Sequence, residues 1–255
     1  MMALPLKISW LSMNIFWEAP EHNLAIVAQY LSENRNIDLL VLPEMFSTGF
    51  TNNVQECAQG MQEGTVFTLK ELASNYKVAI AGSMVIKEDG QYYNRFLFVK
   101  PNAEIESYDK HHLFTYAGED KVYTAGNKHL KVEYKGWTIA CFVCYDLRFP
   151  AWIRKGASGA DLLLFVANWP SSRVEAWNVL LKARAIENQA YVVGVNRVGM
   201  DGNGLQYSES SQLISPDGVV KTGSGLIHEL DQSFLQDFRV KFPFLPDADQ
   251  FELER

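Results

Sequence analysis

The sequence predicts an α/β protein of mixed sheets, with helices covering the sheets and two sheets facing each other. Three observations lead there. Segments with helical spacing of apolar residues alternate with strand-like apolar runs along the chain. Some of those runs, Ile37-Asp38-Leu39-Leu40-Val41-Leu42 above all, are too apolar to keep one wet face. Many runs are joined by hairpin turns, which rules out purely parallel sheets. No internal repeat, low-complexity tract or linker-like shift in composition interrupts the chain, so residues 1–255 are expected to form one domain.

In order, Leu6 to Met13 reads as a strand. Glu21 to Asn34 reads as a helix, with Leu24, Val27, Ala28 and Leu31 on one face. The apolar run at 37–42 stops at Pro43-Glu44. Glu63 to Tyr76 is a second helix, and strands near Val78 to Ile86 and Gln91 to Val99 share the hairpin turn Asp89-Gly90. Glu104 to Tyr108 delivers the chain to Asp109-Lys110-His111-His112. A polar loop, Thr115 to Lys128, precedes strands at Leu130 to Tyr134 and Trp137 to Val143. Phe149 to Lys155 is a short helix with Pro150 tolerated in its first turn. Asp161 to Val166 is a strand, Arg173 to Gln189 the clearest helix, and Ala190 to Val195 a strand. Two or three further strands are expected between Gln206 and Asp231. The tail 233–255 mixes Phe238, Phe242, Phe244, Leu245 and Phe251 with charges.

Composition narrows the function classes. Hydrophobic residues make up 47% and charged residues 21%, enough apolar material for a sizeable core. A net charge of −7 argues against a duplex nucleic-acid binder, which normally shows a basic face. No apolar run approaches the roughly 20 residues of a membrane span, and Met1 to Lys7 lacks the order of a signal peptide. Three cysteines do not make a disulfide framework, so a reducing cytoplasm is the simplest home.

Three strand-like runs end in residues that make chemical sense together: Glu44 after Val41-Leu42-Pro43, Lys110 after Ile105 to Asp109, and Cys144 after Phe142-Val143. Strand ends are where a rigid scaffold hands over to a loop, and sites are built there. A thiol needs a base or a cation beside it to attack. Glu44 is placed to take its proton, and Lys110 to stabilise the thiolate and an oxyanion. The alternatives are plain. Cys144 can be a small buried hydrophobe, as most free cysteines are, and Glu44, Lys110 and the neighbouring histidines can be a cap and solvated surface groups. Cys141 and Cys144 also form a C-x-x-C. In a strand, residues three apart point to opposite faces, and no second C-x-x-C or His pair supplies zinc ligands.

The motifs themselves carry a resemblance. Leu42-Pro43-Glu44, Lys110-His111-His112-Leu113-Phe114 and Cys144-Tyr145-Asp146-Leu147-Arg148-Phe149-Pro150 resemble the catalytic signatures of the nitrilase superfamily of carbon-nitrogen hydrolases. The likeness continues through Ala167-Asn168-Trp169-Pro170, 183–189 and Asn196-Arg197-Val198-Gly199, and within the superfamily it is strongest to bacterial omega-amidases. It implies a four-layer α-β-β-α sandwich of two mixed sheets, commonly a homodimer, with 233–255 as a tail packing on the domain or on a partner subunit. It assigns Glu44 as base, Lys110 as electrostatic stabiliser, Cys144 as nucleophile and Glu119 as the residue that holds Lys110 and substrate. The backbone N–H of Tyr145 would help hold the oxyanion. Arg148 and Arg197 would meet the distal carboxylate of a small monoamide such as 2-oxoglutaramate, with Phe114, Tyr145 and Trp169 walling the pocket. The implied chemistry needs no metal and no organic cofactor. A deaminated-glutathione amidase, a carbamoyl-amine hydrolase and a silent scaffold of the same fold are the competing readings, and Arg148 has a structural alternative as an ion-pair partner of Asp146.

Overall fold

Two six-stranded mixed sheets pack face to face, with helices on their outer surfaces. The computed structural model describes residues 5–253; the leader expectation for Met1 to Leu4, and Glu254 and Arg255 of the tail, lie outside the described residues.

In chain order the first sheet and its helices come from β1 (Leu6–Trp10), α1 (Pro20–Glu33), β2 (Leu39–Val41), α2 (Val54–Cys57), α3 (Gly64–Tyr76), β3 (Ala79–Glu88), β4 (Gln91–Val99) and β5 (Ile105–Asp109). The second follows as β6 (Leu130–Tyr134), β7 (Trp137–Val143), α4 (Pro150–Ala157), β8 (Leu162–Ala167), α5 (Val174–Asn188) and β9 (Tyr191–Asn196). Then come β10 (Gly199–Met200), β11 (Gln206–Tyr207), β12 (Gln212–Ile214), β13 (Val220–Thr222), β14 (His228–Leu230) and α6 (Gln232–Lys241). The first sheet runs β14-β1-β2-β3-β4-β5 and the second β13-β12-β9-β8-β7-β6, with β10 and β11 as a separate ribbon. In each sheet a parallel core, β1-β2-β3 or β7-β8-β9, is extended by antiparallel strands.

The doubly apolar run around β2 explains itself in this layering. Leu39 and Val41 point to the inter-sheet core, which they share with Phe96, Phe98, Trp137 and Ile139. Leu40 and Leu42 point the other way, onto Val27 and Leu31 of α1 and Val66 and Leu69 of α3. Alternation at period two thus puts an apolar side chain on each face.

Where the sequence predicts two or three strands between Gln206 and Asp231, the chain forms four, each of two or three residues. Strands that short offer no alternation to read. Two 3₁₀ turns, Thr115–Ala117 and Glu119–Lys121, form inside the polar loop. The tail begins as α6, opened by Asp231, whose side chain accepts from the N–H groups of Ser233 and Phe234. Arg239 on α6 donates to Asp161 at 3.0 Å and to the Gln189 carbonyl at 2.9 Å, tying this helix to the loops before β8 and β9.

Gly194, in the middle of β9, is where α5 comes down on the sheet. A Cβ there would lie 2.3 Å from Leu181 Cδ1 and 2.9 Å from the Trp177 ring, both buried. Leu181 can swing only into packed neighbours, so Gly194→Ala is expected to destabilise the protein by about 1–3 kcal/mol in urea unfolding. A variant as stable as the wild type would show that α5 has room to move.

Candidate active site

Two strand-to-loop turns carry the central groups, one from each sheet. After β2 the chain turns through Glu44 and Met45, with Met45 at φ 44°; after β7 it turns at Cys144, also at φ 44°. A left-handed non-glycine residue costs about 1–2 kcal/mol, so both turns need support from their surroundings. Met45 is held by its N–H, which donates to Ser83 Oγ at 3.0 Å. The Cys144 turn is held by Asp146, which is fully buried and accepts from the Val143 N–H (3.0 Å), Tyr108 Oη (2.8 Å) and the His112 N–H (2.9 Å). One carboxylate therefore ties the Cys144 turn to the segment that carries Lys110.

Lys110 is enclosed, and its Nζ lies 2.8 Å from Glu44 Oε1 and 2.9 Å from Glu119 Oε2. Glu119 Oε2 also accepts from the Phe114 N–H at 2.6 Å. Glu44 is joined to the second sheet by Asn168, whose N–H donates to Oε2 at 2.8 Å and whose Nδ2 donates to the Glu44 carbonyl at 2.6 Å. Burial alone would push the Lys110 ammonium down, but Glu119 and Glu44, joined by Cys144, hold it well above the ordinary lysine range, so it is charged. Burial, and then Glu44, push the Cys144 thiol well above its usual range, and Lys110 offsets this only in part. At rest Cys144 is a thiol, and an attack by sulfur requires an adjacent base. The carboxyl of Glu119 is raised by burial and by Glu44, while Lys110, the Phe114 N–H and Asn94 pull it back.

These groups open onto a cavity of about 490 Å³. Of the residues predicted from the sequence, Glu44, Lys110, Cys144, Tyr145, Arg148, Phe114 and Trp169 line it, and Glu119 stands directly behind Lys110. Arg148 is exposed, with its guanidinium 4.8 Å from the Trp169 ring centre. Among the described residues it forms no ion pair, so the alternative pairing with Asp146 is not realised; the oxygens of Asp146 are taken by Tyr108, His112 and the Val143 N–H.

Arg197 is not among the residues that line the cavity. It is completely buried, and donates to the carbonyls of Met200 (3.0 Å), Ile15 (3.3 Å) and Val198 (3.3 Å), with its guanidinium 4.8 Å from the Tyr207 ring. It follows β9 directly, and its hydrogen bonds hold two loops together behind Tyr207, which is itself a lining residue. A second cavity arginine, which the motifs did not single out, is Arg173, whose guanidinium lies 5.6 Å from the Phe114 ring and whose carbonyl accepts from Trp169 Nε1 at 2.8 Å. Asn94 was also missed. It is a fully buried polar residue of β4, and between Tyr93 and Arg95 nothing in the local sequence sets it apart.

Cys141 sits in the inter-sheet core, and Cys57, Cys141 and Cys144 are all free thiols. Among the described residues no group of three or more His, Cys, Asp or Glu side chains is placed to hold a metal ion.

Residues 7–229 match the family model described as carbon-nitrogen hydrolase. The chain belongs to the carbon-nitrogen hydrolase family. This hydrolase is 42% identical over 255 residues to the omega-amidase YafV of Escherichia coli K12, a match that covers 97% of this chain and 98% of the relative. It is 34% identical over 223 residues to the 2-oxoglutaramate amidase of Bacillus subtilis, 86% of each chain. Among solved structures it superposes on XC1258 from Xanthomonas campestris, described as a CN-hydrolase superfamily protein with an arsenic adduct in the active site. The TM-score is 0.93 at 38% identity, covering 98% of this chain and 99% of that one. Family and architecture agree with the motif-based expectation of a nitrilase-like sandwich.

Proposed function

We propose that this hydrolase is an omega-amidase, converting the terminal amide of small dicarboxylic monoamides, such as 2-oxoglutaramate, to acid and ammonia. The observation that carries the proposal is a thiol, a carboxylate and an ammonium converging on one cavity that also holds two arginines. The similarity to YafV supports it. Glu44 takes the Cys144 proton as sulfur bonds to the amide carbon, while Lys110 and the Tyr145 N–H stabilise the oxyanion. The C–N bond breaks, Glu44 returns the proton to the departing nitrogen, and ammonia leaves a thioester. A water then gives its proton to Glu44, attacks the thioester and releases the acid and the thiol. Glu119 keeps Lys110 in place. Base, nucleophile and oxyanion donors all come from the chain, so the chemistry requires neither metal nor organic cofactor.

A carboxylate at the far end of the substrate calls for a cation, and Arg148 and Arg173 are the candidates at the cavity, backed by Trp169 and Phe114. The test is ammonia release from a panel of acidic and neutral amides, with iodoacetamide as control and mass spectrometry for the thioester. Arg173→Met is expected to raise KM for the acidic amides about 10- to 100-fold, the worth of a hydrogen bond to a charged group, and to change KM for neutral amides little. An equal effect on both would remove Arg173 from substrate recognition. A flat panel with no acyl adduct on Cys144 would end the omega-amidase reading.

The chain is proposed to act as one catalytic domain, with the 233–255 tail packed on it, in the cytoplasm and as a homodimer. The exposed Val179 and Ile186 on α5, beside Val219 and Val220, supply an apolar face for a second copy.

A further inference from the structure

Besides Lys110, the side chain of Asn94 touches both carboxylates of the site. Its Nδ2 lies 2.8 Å from Glu44 Oε1 and 3.0 Å from Glu119 Oε1. Carboxylate oxygens only accept, so the nitrogen end of the amide must face them. The same orientation is imposed from behind. The Met45 N–H donates to Ser83 Oγ, which leaves the Ser83 hydroxyl proton to go to Asn94 Oδ1, 2.8 Å away. The sequence Met45 to Ser83 to Asn94 to the two carboxylates therefore runs in one direction, and each Nδ2 hydrogen ends on a different acid.

This arrangement answers an electrostatic problem. Two carboxylates and one ammonium are enclosed together, and two carboxylates that share a site tend to hold one proton between them. A proton parked there would occupy the base before the thiol reached it. Glu119 is filled by donors: Lys110 on both oxygens, Asn94 on Oε1 and the Phe114 N–H on Oε2. Glu44 Oε1 is filled by Lys110 and Asn94, which leaves Oε2, beside the Asn168 N–H, for a further proton. The remaining titratable groups facing the pair are Cys144 and Tyr123, and the Tyr123 hydroxyl is committed to the Thr51 carbonyl at 2.6 Å.

We propose that Asn94 is a positioning residue. By giving one N–H to each acid it keeps both ionised around a single lysine, and it reserves Glu44 Oε2 for the proton of the attacking thiol. This rests on the reading of Glu44 as the base for Cys144.

The test compares wild type, Asn94→Leu and Ser83→Ala in kcat/KM for ammonia release across pH, with unfolding midpoints measured alongside. Leucine fills the space without donating. Asn94→Leu is expected to move the acid limb of kcat/KM to higher pH by about one unit, which lowers the rate by up to about tenfold on the acid side of the wild-type midpoint, leaves KM unchanged, and lets most of the rate return on the alkaline side. Ser83→Ala, which frees the amide to turn, is expected to move the same limb less. A folded Asn94→Leu variant with a wild-type acid limb, or with a rate loss equal at every pH, would overturn the inference. If Asn94→Leu does not fold, an unmoved limb in Ser83→Ala overturns it instead. A wild type that releases no ammonia and forms no acyl adduct would strike the underlying omega-amidase reading, a result distinct from an active enzyme with an unmoved limb.

Discussion

Lys110→Met is expected to reduce ammonia release by about 100- to 1,000-fold or more, the scale for losing an oxyanion-stabilising group, and to cost about 3–5 kcal/mol of stability, the scale for breaking a buried ion pair. Both effects have one origin. Lys110 is the cation that Glu44 and Glu119 share, at 2.8 and 2.9 Å, with all three side chains buried. Without it two carboxylates face each other across Asn94 with no counter-charge. The folded-state ammonium is held above its ordinary value, so its stabilising contribution is fully present below the unfolded lysine value, about 10.4, and is lost as pH rises through the folded one. The deficit of the variant is thus expected to persist across about pH 6 to 9. Urea unfolding at several pH values checks it, and a variant as stable as wild type over that range would mean that the two acids do not depend on the lysine.

Cys144→Ala is expected to separate activity from stability. Turnover should fall by at least about 10⁴-fold, as when a covalent nucleophile is deleted, and no acyl adduct should be seen by mass spectrometry after mixing with substrate. Stability should hardly change. Alanine accepts the φ of 44° no less readily than cysteine, and the turn is held by Asp146 and not by the sulfur. Retained turnover would remove Cys144 from the chemistry altogether.

Parts of this architecture were legible in the residues and parts were not, for physical reasons. The doubly apolar run around β2 could be assigned to a covered strand because no wet face could tolerate it. Cys144, Glu44 and Lys110 stood out because a reactive or charged group at the end of an apolar run has few structural reasons to be there. Asn94 escaped notice because a polar residue within a strand is ordinarily taken to face water, and its inward direction depends on the pairing of Ile80↔Val99 through Glu88↔Gln91 that sets the register of β3 on β4. Arg197, expected at the substrate, is buried and bonded to loop carbonyls behind the cavity wall, since a sequence does not say which side of a loop a long side chain takes. Arg173 lay at the start of a helix, where a charge commonly faces solvent, and only the closing of the Phe114 segment over it makes it part of a cavity wall. The strands β11 to β14 were too short to carry a pattern.

The placement of β14 sets the order in which the molecule can be completed. Its pairing with β1, Leu6 against Leu230, closes the edge of the first sheet with the last strand of the described residues. During synthesis β1 precedes every other described strand and remains an open, pairable edge until β14 has been made. The half of the sandwich that supplies Glu44 and Lys110 is thus made early and sealed late, after the half that supplies Cys144.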